Sequence, residues 1–81
     1  MDEFEKRHRA RDIIAARIKV LKEASGGKLT QEDMEAASGV PQAVISSYMR
    51  GFIAEAKFGY VMKFLLYLGV DPVDLFKQME E

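Results

Sequence analysis

Residues 38–42 read Ser-Gly-Val-Pro-Gln, and this short stretch constrains the fold more than any other. Glycine ends a helix because it adopts the left-handed conformation without steric cost. Pro41 forces Val40 out of the helical region and fits the first turn of a new helix, where its missing N–H costs little. Helix-forming sequence lies on both sides, "LTQEDMEAAS" before and "QAVISSYM" after. A turn this tight leaves two short helices side by side, which is the helix-turn-helix arrangement.

The rest of the chain reads as helix too. "DEFEKRHRARDIIAARIKVLKEA" holds neither Pro nor Gly, and Ile14, Ile18 and Leu21 recur at helical spacing with Ile13 and Ala24 alongside. Asp2, Glu3 and Glu5 suit its start, Lys19 and Lys22 suit its end, and "SGGK" stops it. Thr30 caps the second helix, with Asp33 three residues on giving a weak capping box. The third helix runs to about Met49 and stops at Gly51, and "FIAEA" is a connector. "KFGYVMKFLLYLGV" is the fourth helix. Asp71 caps the fifth, Pro72 opens it and Asp74 supports its first turn. Five helices and no strand make an all-α fold, with 1–81 as one domain and the helix-turn-helix core at about 30–50.

No cysteine among the 81 residues can staple this fold, so an apolar core must hold it, helped by self-association. No apolar run is long enough to cross a bilayer, and the charged N-terminus is not signal-like, which predicts a cytoplasmic protein. One histidine, no Gly-rich phosphate loop and no paired carboxylate in a credible pocket argue against an enzyme, and neither metal nor organic cofactor is implied. The net charge of −1 hides an asymmetry. Residues 1–28 carry eight Lys/Arg against five Asp/Glu, and residues 29–81 carry four against eight. The cluster "KRHRAR", with Lys6, Arg7, Arg9 and Arg11, is either a face for a polyanion or a solvated helical extension, and His8 within it reads as a solvated residue.

Residues 29–51 resemble the core of the Cro- and lambda-repressor-like (Xre) helix-turn-helix family. Gln31, Met34, Gly39, Val40, Ile45, Ser46 and Gly51 stand at the family's spacings, and Leu68, Gly69, Val70, Leu75 and Phe76 match its junction between helices four and five. The resemblance spans about residues 14–76 and implies a five-helix lambda-repressor-like domain, here with an extended first helix. Met34, Val40, Ile45 and Tyr48 would lock the two helices together, leaving Gln42, Ala43, Ser46, Ser47 and Arg50 outward. Residues 42, 46 and 50 form one stripe at successive i, i+4 positions. Gln bonds adenine bidentately, Ala touches a thymine methyl and Ser bonds either kind of edge. Arg50 suits phosphate or guanine, and Lys57, opening helix four, suits phosphate. The resemblance further implies that Gln31 steadies Gln42 while the second helix's N-terminus meets a phosphate.

The sequence departs from the family pattern in three places. Glu35 stands where a small residue is usual, so its carboxylate must find solvent or a donor. Pro41 replaces a Ser or Thr cap, and Phe52 and Ile53 stand where the family is polar and are expected to fold back on the core. In the fourth helix Phe58, Val61, Phe64, Leu65 and Leu68 occupy positions the family buries, yet Tyr60, Met62, Leu66 and Tyr67 are apolar as well. A helix apolar all round needs cover on every side. Tyr60, Leu66, Tyr67, Phe76 and Met79, within residues 57–79, are therefore the expected two-fold interface. The expectation is a sequence-specific regulator of double-stranded DNA, a repressor acting as a homodimer on a palindromic operator and nucleoid-associated when bound. The alternative is a protein-interaction module, such as an antitoxin or anti-activator, whose apolar C-terminal helices bind a protein partner.

Overall fold

The computed structural model describes residues 3–53 and 57–80. Asp2 and residues 54–56 of the expected connector lie outside the described residues. Among the described residues the chain forms five helices and no strand: α1 (Glu3–Ala24), α2 (Gln31–Ser38), α3 (Gln42–Met49), α4 (Phe58–Leu68) and α5 (Pro72–Glu80). None of them is long and apolar enough to cross a membrane.

The local signals act as read, with one shift. Thr30 Oγ1 accepts from the Asp33 N–H at 3.1 Å, and Asp33 Oδ2 accepts from the Thr30 N–H at 3.0 Å, so the capping box is complete. Gly39 takes φ 76° and donates its N–H to the Glu35 carbonyl at 2.9 Å. Pro41 does not open α3 as its first helical residue. It sits one position earlier, at the N-cap, with φ −58° and ψ 146°. Its extended ψ still lets its carbonyl accept from Ile45 N–H at 3.0 Å, but the helix has no side-chain cap. Asp71 Oδ1 accepts from Val73 N–H at 2.8 Å and so starts α5.

Met34, Val40, Ile45 and Tyr48 are all buried and join α2 to α3. The Tyr48 and Phe64 rings lie 5.5 Å apart, which fixes the inner face of α3 on α4. Ile53 is buried as expected, whereas Phe52 is only half-buried. Phe58 contradicts the expectation: it is 73% exposed, while Val61, Phe64, Leu65 and Leu68 are buried. It is the first residue of α4 and lies on the open groove shared with Val73 and Phe76 of α5.

The extended α1 resolves the charge asymmetry inside the molecule. Arg17 Nε donates to the Leu68 carbonyl at 2.9 Å, and Arg9 Nη1 donates to the Gln78 carbonyl at 2.9 Å. Lys6 Nζ pairs with Glu80 Oε1 at 3.0 Å. Each cation thus sits at the C-terminal end of α4 or α5, where unpaired carbonyls concentrate negative charge. At its other flank α1 presses its backbone on the end of α3. The Arg7 carbonyl occupies the space that a Cβ on Gly51 would need, and Gly51 takes φ 92°.

Candidate nucleic-acid interface

The inner face of α3 is consumed by the core, so its outer face is what remains to meet a partner. Gln42 and Ala43 are exposed there, Ser46 and Ser47 are half-buried, and Arg50 is exposed at the C-cap. The stripe Gln42–Ser46–Arg50 is thus formed as the i, i+4 spacing requires. Ser47 is less available than its neighbours. Its hydroxyl donates to the Ala43 carbonyl at 3.3 Å and accepts from Arg50 Nη2 at 3.5 Å. Lys57 is the N-cap residue of α4 and is exposed.

Gln31 and Gln42 do not pair. Gln31 Nε2 reaches the Met49 sulfur at 3.7 Å, a weak acceptor, and Gln42 Nε2 donates to Glu35 Oε1 at 3.3 Å. The cause is Glu35. Placed one turn after Gln31 on α2, its carboxylate outcompetes a neutral amide for the Gln42 N–H. A carboxylate only accepts, so the Gln42 amide is held with Nε2 toward α2 and Oε1 turned away from it. The α2 N-terminus is also a poorer phosphate site than expected. The Asp33 N–H is spent on Thr30, and Glu32 and Asp33 put two carboxylates in the first turn.

A second group of residues stands beside the stripe. Ala43, Ser47, Arg50, Phe52 and Lys57 line one cleft of about 670 Å³. The Phe52 ring carries the Arg7 guanidinium 4.7 Å from its centre and the Arg50 guanidinium 5.7 Å away. The sequence marks Phe52 as out of pattern and points it to the core, not to this cleft. Arg7 stood among four basic residues with nothing local to distinguish it, because its neighbours just past α3, Gly51 and Phe52, are more than forty residues distant.

Of the expected interface residues, Leu66 is 71% and Phe76 is 36% exposed. Tyr60 and Tyr67 are half-buried against the core, with Tyr67 stacked on Phe64 at 6.2 Å. Met79 is not at a surface: it is 3% exposed, because α5 folds back along α1 and turns that residue inward. The open apolar surface is instead a groove of about 810 Å³ between α4 and α5, lined by Phe58, Met62, Val73 and Phe76.

A protein-family model described as helix-turn-helix matches residues 26–75, from the loop after α1 into α5. No curated protein and no solved structure matches the chain.

Proposed function

The chain belongs to the Cro- and lambda-repressor-like helix-turn-helix family of DNA-binding regulators, and from that premise we propose a sequence-specific transcriptional repressor that works as a homodimer on a palindromic operator. The observation carrying this reading is the division of α3: Ile45 and Tyr48 are locked in the core while Gln42 and Ala43 are exposed and Ser46 is half-buried on the opposite face. In this motif the second helix lies in the major groove, and its outward residues meet base edges. Gln42 and Ser46 read bases, Ala43 offers a methyl contact, and Arg50 and Lys57 hold phosphate, with Gln31 and Ser47 in supporting positions. The partner is double-stranded DNA, which places its work in the cytoplasm, on the nucleoid. Blocking polymerase is the simplest mode of action for so small a protein.

The second subunit follows from scale and from the apolar groove. One subunit offers one recognition helix and measures 36 × 23 × 19 Å. Two recognition helices must stand about 34 Å apart to enter successive major grooves. Leu66, Phe76, Phe58 and Val73 supply an apolar face for a second copy. The same groove also supports the other reading, a module that binds a different protein.

Selection of duplexes from a random library by the wild-type chain tests the proposal, with recovery of one palindromic sequence expected. Gln42→Ala with Ser46→Ala should abolish that preference and leave the helical circular dichroism intact. A library with no enriched sequence at low salt would sink the regulator and favour the protein-binding module.

A further inference from the structure

The four cations at 6–11 look alike in the sequence, and the fold sends them to different places. Lys6 is paired with Glu80, and Arg9 is bonded to the Gln78 carbonyl. Arg11 reaches Asp12 at 3.3 Å and His8 Nδ1 at 3.0 Å. Only Arg7 turns toward α3, where it lies on the same aromatic ring as Arg50.

Two guanidiniums on one ring repel each other. Cation–π attraction holds each in place but removes no charge. Lys6 pairs with Glu80 and Arg11 with Asp12, and among the described residues no such pair is seen at Arg7 or Arg50. Lys57 lines the same cleft as Arg50 and Phe52, which adds a third cation to that edge. The backbones that carry the two guanidiniums are also closely packed. Gly51 lets the α1 backbone at Arg7 come so close to the end of α3 that no side chain fits between them. Mutually repelling cations with no counter-ion among the described residues suit an external anion.

We propose that Arg7 is a DNA phosphate ligand, held on Phe52 beside Arg50 so that the two guanidiniums take neighbouring phosphates of one strand at the edge of the groove occupied by α3. This rests on α3 being the groove-reading helix. Arg7 lies outside residues 26–75, so the contact is an addition made by the extended first helix of this chain. Arg50 caps α3, and Arg7 supplies from a different element the charge that α3 itself lacks. Phe52 is a positioning residue: its ring fixes both guanidiniums and touches no phosphate.

The test is the salt dependence of binding to a duplex selected by the wild-type protein, followed by fluorescence anisotropy between about 50 and 200 mM salt. Each neutralised phosphate contributes about −0.9 to the slope of log K against log salt. Arg7→Gln is expected to make the slope shallower by about 0.9, with the selected sequence unchanged and the helical content intact. Lys6→Gln and Arg11→Gln should leave the slope as it was. Arg7→Lys keeps the charge and should keep the slope while weakening binding. Phe52→Leu removes no charge, yet should move the slope toward that of Arg7→Gln. An unchanged slope in Arg7→Gln, or an equal loss in Lys6→Gln, would overturn the phosphate role while leaving the α3 reading intact. A wild-type protein that prefers no duplex would overturn both.

Discussion

Tyr48 is the largest fully buried side chain of the core, and its hydroxyl has no hydrogen-bond partner among the described residues. Leaving such a group unpaired costs about 1–3 kcal/mol. Tyr48→Phe keeps the ring against Phe64 and is expected to stabilise the protein by about 1 kcal/mol in urea denaturation; a loss of stability would mean that the hydroxyl is satisfied in solution. Burial, with Tyr60 nearby, also raises the phenol above its ordinary 10.0. The folded chain therefore keeps a proton that the unfolded chain gives up. This contribution is intact below pH 10 and is lost as pH rises further. Tyr48→Phe should flatten the alkaline fall in melting temperature, leaving the share due to Tyr67, which is raised mainly by burial as well. At this scale the sequence was half legible. Glu35 stood out because a carboxylate replaces a small residue, but its partner, Gln42, lies across a turn whose exact geometry decides which amide arrives. Gln31 and Gln42 obey the family spacing and still do not meet.

Among the helices, the boundaries were written in residues that act locally. Thr30 with Asp33, Gly39 and Asp71 each place an end through a bond to a near neighbour, so no tertiary knowledge was needed. The faces of α4 and α5 were less legible. Where nearly every residue is apolar, composition does not say which side turns inward, and packing decides; hence Phe58 is out and Met79 is in. The clips from α1 were equally hidden, because a lysine or arginine on a helix surface gives no local sign of a distant carbonyl. Arg17 makes the most buried of them, to Leu68 at 2.9 Å. Arg17→Ala leaves that carbonyl end of α4 without its charged donor and should cost about 2 kcal/mol, read from the urea midpoint. A change within about 0.5 kcal/mol, the range of ordinary surface substitutions, would show that the clip is idle in solution.

For the molecule as a whole, a slightly acidic net charge is no obstacle to binding a polyanion, because a local positive face suffices, and three cations of the first helix, Lys6, Arg9 and Arg17, are bonded to α4 or α5. Arg7, Arg50 and Lys57 form a small positive edge beside α3, and on the proposed reading one subunit alone would hold DNA weakly, so that pairing would be decisive. Phe58 and Leu66 are both largely exposed, two turns apart on α4. Glu at either position should leave the fold intact but weaken self-association at least tenfold in sedimentation, about 1.4 kcal/mol or more. A dimer as strong as the wild type would show that α4 is not the shared face. The clips also bear on how the chain reaches its final form. The α2–α3 contacts lie within twenty residues, whereas Arg9 and Gln78 are 69 positions apart. Long-range contacts form late, because the entropy of closing so large a loop must be overcome before they stabilise anything. During synthesis α1 emerges before the helices it clips, so its bond to Gln78 can close only once α5 has been made.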